Sequence, residues 1–142
     1  MESDPSIFNN NEVPKRILRY LELAKKVATG STIGNFRHGA VVVNGGSAIL
    51  GMGANNEKYC SFAAKYRPKD KGLATFHAEI KSIIGVDRDT LKGSTIFVAR
   101  TSKCGNSRMS KPCPMCHAAL KAQGIKKVYY TIDETTIGFY KF

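Results

Sequence analysis

The chain has 142 residues, the usual size of one domain, with 42% hydrophobic and 23% charged residues and a formal net charge of +11. Neither a signal-peptide core nor an apolar run long enough to span a bilayer is found, so we expect a soluble, cytoplasmic protein rather than a secreted or membrane protein. The excess of positive charge favours a phosphate-bearing partner, either a nucleotide or a nucleic acid, with a merely solvated surface as the alternative.

The first half of the chain predicts a flexible start, a helix and a hairpin. Residues 1–13 are polar and predict a flexible N-terminus ahead of one domain over residues 14–142. From Pro14 apolar residues recur at helical spacing until Gly30. Two β-rich runs flank Asn44-Gly45-Gly46, which predicts a hairpin. The basic segment 55–73 predicts a long loop whose aromatic residues either stack on a single strand or pack at an interface.

The second half alternates helices and strands. Helices are predicted from about residue 75 to Gly85 and from Pro112–Pro114 to Gly124, with strands over 94–100 and 126–132. A tight turn at 133–134 predicts a last, antiparallel strand. The order predicts a three-layer α/β/α sandwich with a central mixed sheet of about five strands, whose middle strands are parallel.

Two short motifs fall at the starts of the two predicted crossover helices. His77 and Glu79 lie in the first turn of one helix, and Cys113 and Cys116 lie in the first turn of the next. Both starts face the same edge of the sheet, so His77, Cys113 and Cys116 can converge on one Zn²⁺ and leave its fourth position open to water, which is the pattern of a catalytic site. Glu79 then stays free to move protons. We expect the other two cysteines, at positions 60 and 104, to be ordinary thiols.

These motifs, "HAE" and "PCPMC", resemble the cytidine/deoxycytidylate deaminase superfamily of zinc-dependent nucleobase deaminases. The resemblance implies a cytidine deaminase-like fold and a hydrolytic deamination, most simply cytosine to uracil in a nucleoside or nucleotide. It implies metal ligands His77, Cys113 and Cys116, the catalytic proton carrier Glu79, and a base pocket lined by the Ala78 backbone.

The resemblance extends to the predicted substrate contacts. "GNFRHGAVVV" resembles the start of the first strand in free-nucleoside deaminases, which makes Phe36 a candidate to stack on the base. His38 stands where that family usually has Val, and we expect it to be structural. "GMGANN" resembles the end of the second strand, which implies that Asn55 binds the sugar or base. Arg108 and Lys111 directly precede the zinc loop and are predicted to hold a substrate phosphate.

Several alternatives stay open on the sequence. The antiparallel last strand resembles the cytidine and blasticidin deaminase branch, whereas the net charge favours cytosine or adenine within single-stranded DNA or RNA. A zinc-stabilised nucleic-acid-binding module without turnover is a third hypothesis. The superfamily resemblance also implies a homo-oligomer. The sequence does not separate cytosine from adenine or guanine, or ribose from deoxyribose.

Overall fold

The computed structural model describes residues 4–142, apart from the side chain of Lys69. The helices are α1 (Lys15–Ala28), α2 (Ser61–Ala64), α3 (Ala78–Ile83), α4 (Arg88–Leu91) and α5 (Pro114–Ala122), with 3₁₀ turns at Asn10–Glu12 and Lys69–Lys71. The strands are β1 (Ser6–Asn9), β2 (Arg37–Val43), β3 (Ile49–Ala54), β4 (Thr95–Thr101), β5 (Ser107–Arg108), β6 (Lys127–Thr131) and β7 (Thr136–Lys141). None of the helices within 4–142 combines the length and the hydropathy that crossing a bilayer requires.

The strands form one mixed sheet in the order β1-β7-β6-β4-β2-β3, and β5 pairs with the end of β4. Among the described strands only β4 and β6 pair in parallel, and β7 returns antiparallel to β6. The predicted hairpin is the antiparallel pair β2 and β3. Helices cover both faces of the sheet, so the predicted three-layer sandwich with parallel middle strands is confirmed.

The sheet has seven strands within the described residues rather than about five. Strand β1 lies where the sequence predicts a flexible segment, and it pairs antiparallel with β7, with Phe8 half-buried beneath α1. Only Ile7 and Phe8 are apolar there, which is too short a run to indicate a strand. Residues 1–3 of that predicted segment lie outside the described residues. Strand β5 has two residues and no pattern of its own.

Helix α1 packs on one face of the sheet. Its buried residues include Ile17, Leu21 and Ala24, which contact a β-branched and aromatic surface on β2 and β4. The helix crosses the sheet at Gly39, where an added Cβ would overlap the Ala24 carbonyl oxygen. A glycine is required there because the backbones of α1 and β2 are in contact.

Helices α3 and α5 pack on the opposite face and enclose the larger part of the core. Helix α3 lies directly on β3, because Gly51 and Gly53 leave room for its backbone: a Cβ on Gly51 would overlap the Ser82 carbonyl oxygen. Residues of α3 and α5 share one buried cluster, which includes Ile80, Met115 and Cys116. This packing places the N-terminal ends of the two helices side by side.

The long basic segment after β3 is folded onto α5 rather than extended. It contains α2 and contributes the buried Cys60, Ala63 and Ala74 to the cluster around Met115. Two of its aromatic rings, Phe62 and Tyr66, are half-buried and pack on each other with centroids 5.7 Å apart, whereas Tyr59 is exposed. The segment therefore supports the wall of the site, and Tyr59 alone of its three aromatic residues points outward.

Candidate active site

His77 is the residue immediately before α3, and Glu79 lies in the first turn of that helix. The chain leading into the helix is fixed by the segment that follows β3, since the Asn56 N–H donates to the Phe76 carbonyl at 2.9 Å. The His77 carbonyl then accepts the first helical hydrogen bond, from Lys81 at 3.0 Å. The His77 backbone is thus held on both sides, which limits where its imidazole can lie.

Cys113 takes the equivalent place before α5, and Pro114 is the first helical residue. Proline suits that position because its φ is already helical and its missing N–H would have had no partner. The Cys113 carbonyl accepts from His117 N–H at 2.8 Å. Cys116 follows three residues after Cys113, one turn along the same side of the helix, so the two sulfurs face one point.

A buried serine, Ser110, fixes the loop that leads to these cysteines. Its hydroxyl accepts a hydrogen bond from Thr131 N–H at 2.8 Å and lies 2.9 Å from the Val98 carbonyl, to which it can donate. Its backbone N–H donates to the Thr131 carbonyl at 2.9 Å. Ser110 therefore ties the metal loop to the middle of β4 and the end of β6. The sequence analysis missed this residue, because a serine before Lys-Pro carries no signal of burial.

The three predicted metal ligands meet in space. His77 Nδ1 lies 3.6 Å from Cys113 Sγ and 3.4 Å from Cys116 Sγ, and all three atoms lie within 4.8 Å of one another. A tetrahedral zinc with ordinary Zn–N and Zn–S bond lengths separates such a nitrogen and sulfur by about 3.6 Å. One imidazole and two thiolates are also a donor set that zinc prefers. The residues therefore fit Zn²⁺ in both geometry and chemistry.

The protons of the donor set are shared between its members. The pKa of Cys113 is lowered to about 4, chiefly by a hydrogen bond from the Cys116 thiol and also by the His77 imidazole. The same bond, together with burial, raises the pKa of Cys116 well above its usual value. The bond to Cys113 raises the pKa of His77. A thiolate thus lies against two proton donors, and a bound Zn²⁺ would displace those protons.

Glu79 is only 4% exposed, although it is an acidic side chain. Burial raises the pKa of its carboxyl to about 7, because the charged form loses hydration. It is not one of the three converging metal-binding groups, but it lines the same cavity as His77 and Cys113. A buried carboxyl beside an open metal position is placed to exchange protons with whatever occupies that position.

The cavity lined by His77, Glu79 and Cys113 has a volume of about 280 Å³. Of the predicted substrate contacts it brings together Phe36, Asn55, Ala78 and Lys111. It does not bring in Arg108, whose guanidinium instead donates to the Ser107 carbonyl at 3.1 Å. The sequence places Arg108 near the zinc loop, but the pairing of β5 with β4 keeps its side chain outside the cavity wall.

Phe36 stands at the mouth of the cavity with its ring 57% exposed. The Arg100 guanidinium lies over that ring at 4.4 Å from the centroid, close enough for a cation–π contact. Arg100 precedes the zinc loop in sequence, and its place in β4 brings it to the mouth of the cavity. Its Nε is buried without a hydrogen-bond partner among residues 4–142.

His38 also lines the cavity, where the sequence predicted a structural residue. It lies directly opposite Arg100 in the pairing of β2 with β4, on the sheet face that carries the site. The sequence did offer one indication that His38 is unusual, since it stands where the family that the β2 sequence resembles usually has Val. Its place in the cavity could not be inferred without knowing which face of β2 is turned toward the metal ligands.

A family described as "Cytidine and deoxycytidylate deaminase zinc-binding region" matches residues 14–132. This stretch is most of the chain, and the chain belongs to that family. The resemblance inferred from the HAE and PCPMC motifs is thereby confirmed, and zinc is the metal that both the family description and the donor set indicate.

Individual relatives agree with the family. The "Probable deoxycytidylate deaminase" of Caenorhabditis elegans is 27% identical over 139 residues, which cover 94% of this chain and 66% of that protein. The chain therefore spans just under two thirds of that relative's length.

Solved structures show the same fold. The dCMP deaminase of the cyanophage S-TIM5 in its apo form has a TM-score of 0.57 at 23% identity, covering 83% of each chain. The same enzyme in complex with dCMP and dUMP has a TM-score of 0.56. RibD of Acinetobacter baumannii, with a TM-score of 0.50 at 20% identity, matches 80% of this chain but 27% of its own.

Proposed function

We propose that this chain is a zinc-dependent deaminase that converts cytosine, in a nucleoside or nucleotide, to uracil with release of ammonia. The observation that carries the proposal is the buried Glu79 carboxyl, which shares a cavity with three metal-binding side chains without being one of them. A purely structural zinc site has no use for such a group. The dCMP named for the cyanophage structure and the deoxycytidylate named for the nematode relative support a pyrimidine nucleotide as substrate.

The roles of the residues follow from their places. His77, Cys113 and Cys116 hold the metal, which when bound supplies the Lewis acidity that makes water a nucleophile near neutral pH. Glu79 takes a proton from the attacking water and delivers it to the ring nitrogen. It then takes the remaining proton from the hydroxyl added at the ring carbon and delivers it to the amine, which leaves as ammonia while the carbonyl forms. One carboxyl group serves both rounds because each delivery returns it to the carboxylate form. Water and the amine are thereby exchanged for ammonia and a carbonyl oxygen.

The wall of the cavity positions the base and its substituents. Phe36 offers an aromatic face backed by Arg100, which suits stacking on a base. Ala78 is fully buried and leaves room for a flat ring beside the metal. Lys111 lines the same cavity and supplies a cation for a phosphate. Arg108 stays in the proposal as a more distant contact of that phosphate.

The deciding experiment is ammonia release by the zinc-loaded protein. The substrates are cytidine, deoxycytidine, their monophosphates, adenosine, guanine, and single-stranded DNA and RNA. We expect turnover of a small cytosine compound. Turnover of polymer alone would move the function to nucleic-acid editing, for which the net charge of +11 is the argument. Silence on every substrate with zinc bound would overturn the proposal in favour of a non-catalytic zinc module.

Replacing Cys116 with serine should remove the metal. A neutral hydroxyl is a far weaker zinc ligand than a thiolate, and two remaining ligands hold the ion poorly. We expect zinc content, measured by plasma emission on dialysed protein, to fall from near one per chain to a small fraction of that value. The exposed Cys104 provides the matched control, since the same substitution there should leave zinc content unchanged. Equal zinc content in both variants would exclude Cys116 as a ligand.

Replacing Lys111 with alanine should selectively weaken the binding of phosphorylated substrates. A charge-assisted hydrogen bond to phosphate is lost, so we expect KM for deoxycytidine monophosphate to rise about tenfold. KM for deoxycytidine should change by less than about twofold, because the nucleoside has no phosphate to bind. Lys103, in the turn between β4 and β5, is the control lysine. An equal rise for nucleoside and nucleotide would show that Lys111 shapes the cavity rather than binding phosphate.

The proposal extends to partners and compartment. The basic surface would favour single-stranded nucleic acid as a second ligand, and binding that weakens steeply with added salt would support this. The edge strand β3 carries no charged residue, so copies of a basic chain could assemble along it without bringing like charges together. None of the four cysteines, all of which lie within the described residues, forms a disulfide, in keeping with a reducing cytoplasm.

A further inference from the structure

The amide of Asn55 is largely occupied inside the protein. Its Oδ1 accepts hydrogen bonds from the His38 N–H, at 3.0 Å, and from the Ser31 hydroxyl. Its Nδ2 donates to the Phe36 carbonyl at 2.8 Å. An amide oxygen has two lone pairs, so this oxygen is saturated and only one N–H remains for a ligand. Asn55 can donate to a sugar hydroxyl, but it cannot accept the proton of that hydroxyl.

The acceptor that Asn55 lacks is available on His38. His38 Nδ1 lies 3.1 Å from the Phe36 carbonyl oxygen, which can only accept, so Nδ1 carries the hydrogen. In the neutral ring Nε2 is then an acceptor, and burial favours the neutral ring by lowering the pKa of His38. The structure shows no hydrogen bond to Nε2 from residues 4–142, and the side chain lines the cavity next to Asn55.

We propose that His38 Nε2 accepts a hydrogen bond from a sugar hydroxyl of the substrate, beside the remaining N–H of Asn55. The inference rests on the proposed function, since it names how the same cavity recognises the sugar of a cytosine nucleotide. It makes His38 a specificity-determining residue. A valine, the usual residue at this position in the family that the β2 sequence resembles, could not serve as an acceptor.

The test is a double-mutant cycle in which one change is a substitution of His38 and the other is the removal of a hydroxyl from the substrate. Wild type, His38→Val and His38→Gln are assayed on three substrates. Cytidine monophosphate has both sugar hydroxyls, deoxycytidine monophosphate lacks the 2′ hydroxyl, and dideoxycytidine monophosphate lacks both the 2′ and the 3′ hydroxyl. For one of these hydroxyls we expect its removal to lower kcat/KM of wild type about five- to tenfold, mainly through KM. His38→Val should show a similar loss on the hydroxylated substrate and a clearly smaller further loss when the hydroxyl is removed, because only the Asn55 N–H still contacts it. His38→Gln, whose amide oxygen can accept, should recover part of it.

The cycle also identifies which hydroxyl is bound, because only that one is coupled to His38. The inference would be overturned if, for both hydroxyls, the loss of kcat/KM on removing the hydroxyl were the same in His38→Val as in wild type. Zinc content and the thermal midpoint of each variant show whether the substitution disturbed the fold.

Binding measured without turnover separates the two proposals. Calorimetric Kd values for the same nucleotides are compared between Glu79→Gln and the double variant Glu79→Gln/His38→Val. His38-dependent binding in a protein whose wild type releases no ammonia would sink the proposed function and keep the inference. Turnover by wild type with no dependence of sugar recognition on His38 would keep the proposed function and overturn the inference. The absence of both binding and turnover would overturn both proposals.

Discussion

Glu79→Gln should lose about 10²- to 10⁴-fold in kcat while keeping its fold and its zinc. The magnitude is that of a positioned general acid–base group, and glutamine keeps the size of the side chain while removing its ability to exchange protons. Because Glu79 is buried in the cavity but lies outside the three-residue donor set, the loss should appear without loss of metal. The measurements are steady-state ammonia release and zinc content on the same protein sample.

The control for Glu79→Gln is its binding of nucleotide. If the carboxyl acts in proton transfer, the variant should still bind deoxycytidine monophosphate, with a Kd within about tenfold of the wild-type KM. A variant that retains turnover within tenfold of wild type would remove Glu79 from the mechanism. Loss of zinc together with turnover would mean that Glu79 supports the metal site instead.

Gly51→Ala should destabilise the chain by about 3 kcal/mol and lower activity with it. An added Cβ would overlap the Ser82 carbonyl oxygen, which belongs to the backbone of α3 and cannot rotate away. Overpacking a core with one methyl group costs about 1–3 kcal/mol, and a rigid backbone neighbour places this case at the upper end. Because α3 carries His77 and Glu79 at its start, the shift needed to relieve the overlap also displaces the site. Chemical denaturation and kcat/KM measure the two effects.

Gly45→Ala is the matched control. Gly45 lies in the hairpin turn, has no atom within 4 Å of an added Cβ, and does not have a positive φ. Alanine there reduces the freedom of the unfolded chain and should change stability by less than about 1 kcal/mol, in the stabilising direction. If Gly51→Ala were as stable as Gly45→Ala, the close contact between α3 and β3 would not exist in solution.

The convergence of the three candidate metal-binding side chains was predictable because each motif is local and sits at the start of a crossover helix. Crossover helices that follow strands of one sheet begin at the same edge, and the packing of α3 against α5 then brings the histidine and the cysteines together. The main strands and helices were predictable for a similar reason, since each carries its own periodicity. Strands β1 and β5 were not, because a two-residue apolar run and a two-residue strand contain no period.

The second layer of the site depends on contacts that no single segment encodes. Asn55 could be named from its motif. That its side-chain oxygen already accepts two hydrogen bonds is visible only in the structure, because the donors, Ser31 and His38, come from other segments. Arg108 and Arg100 illustrate the same limit. Both precede the zinc loop in sequence, yet strand pairing sets Arg100 opposite His38 and against Phe36, while Arg108 stays outside the cavity.

The shortness of α3 has a consequence for how the site opens and closes. A helix of six residues does not persist by itself in water. It exists here because the two glycines of β3 let it lie against the hairpin backbone. Helix and hairpin should therefore behave as one cooperative unit, with a shared free energy of local opening. Fluctuations that open the edge strand β3 would displace His77 and Glu79 together. The geometry of the candidate site therefore depends on a strand that contains neither residue.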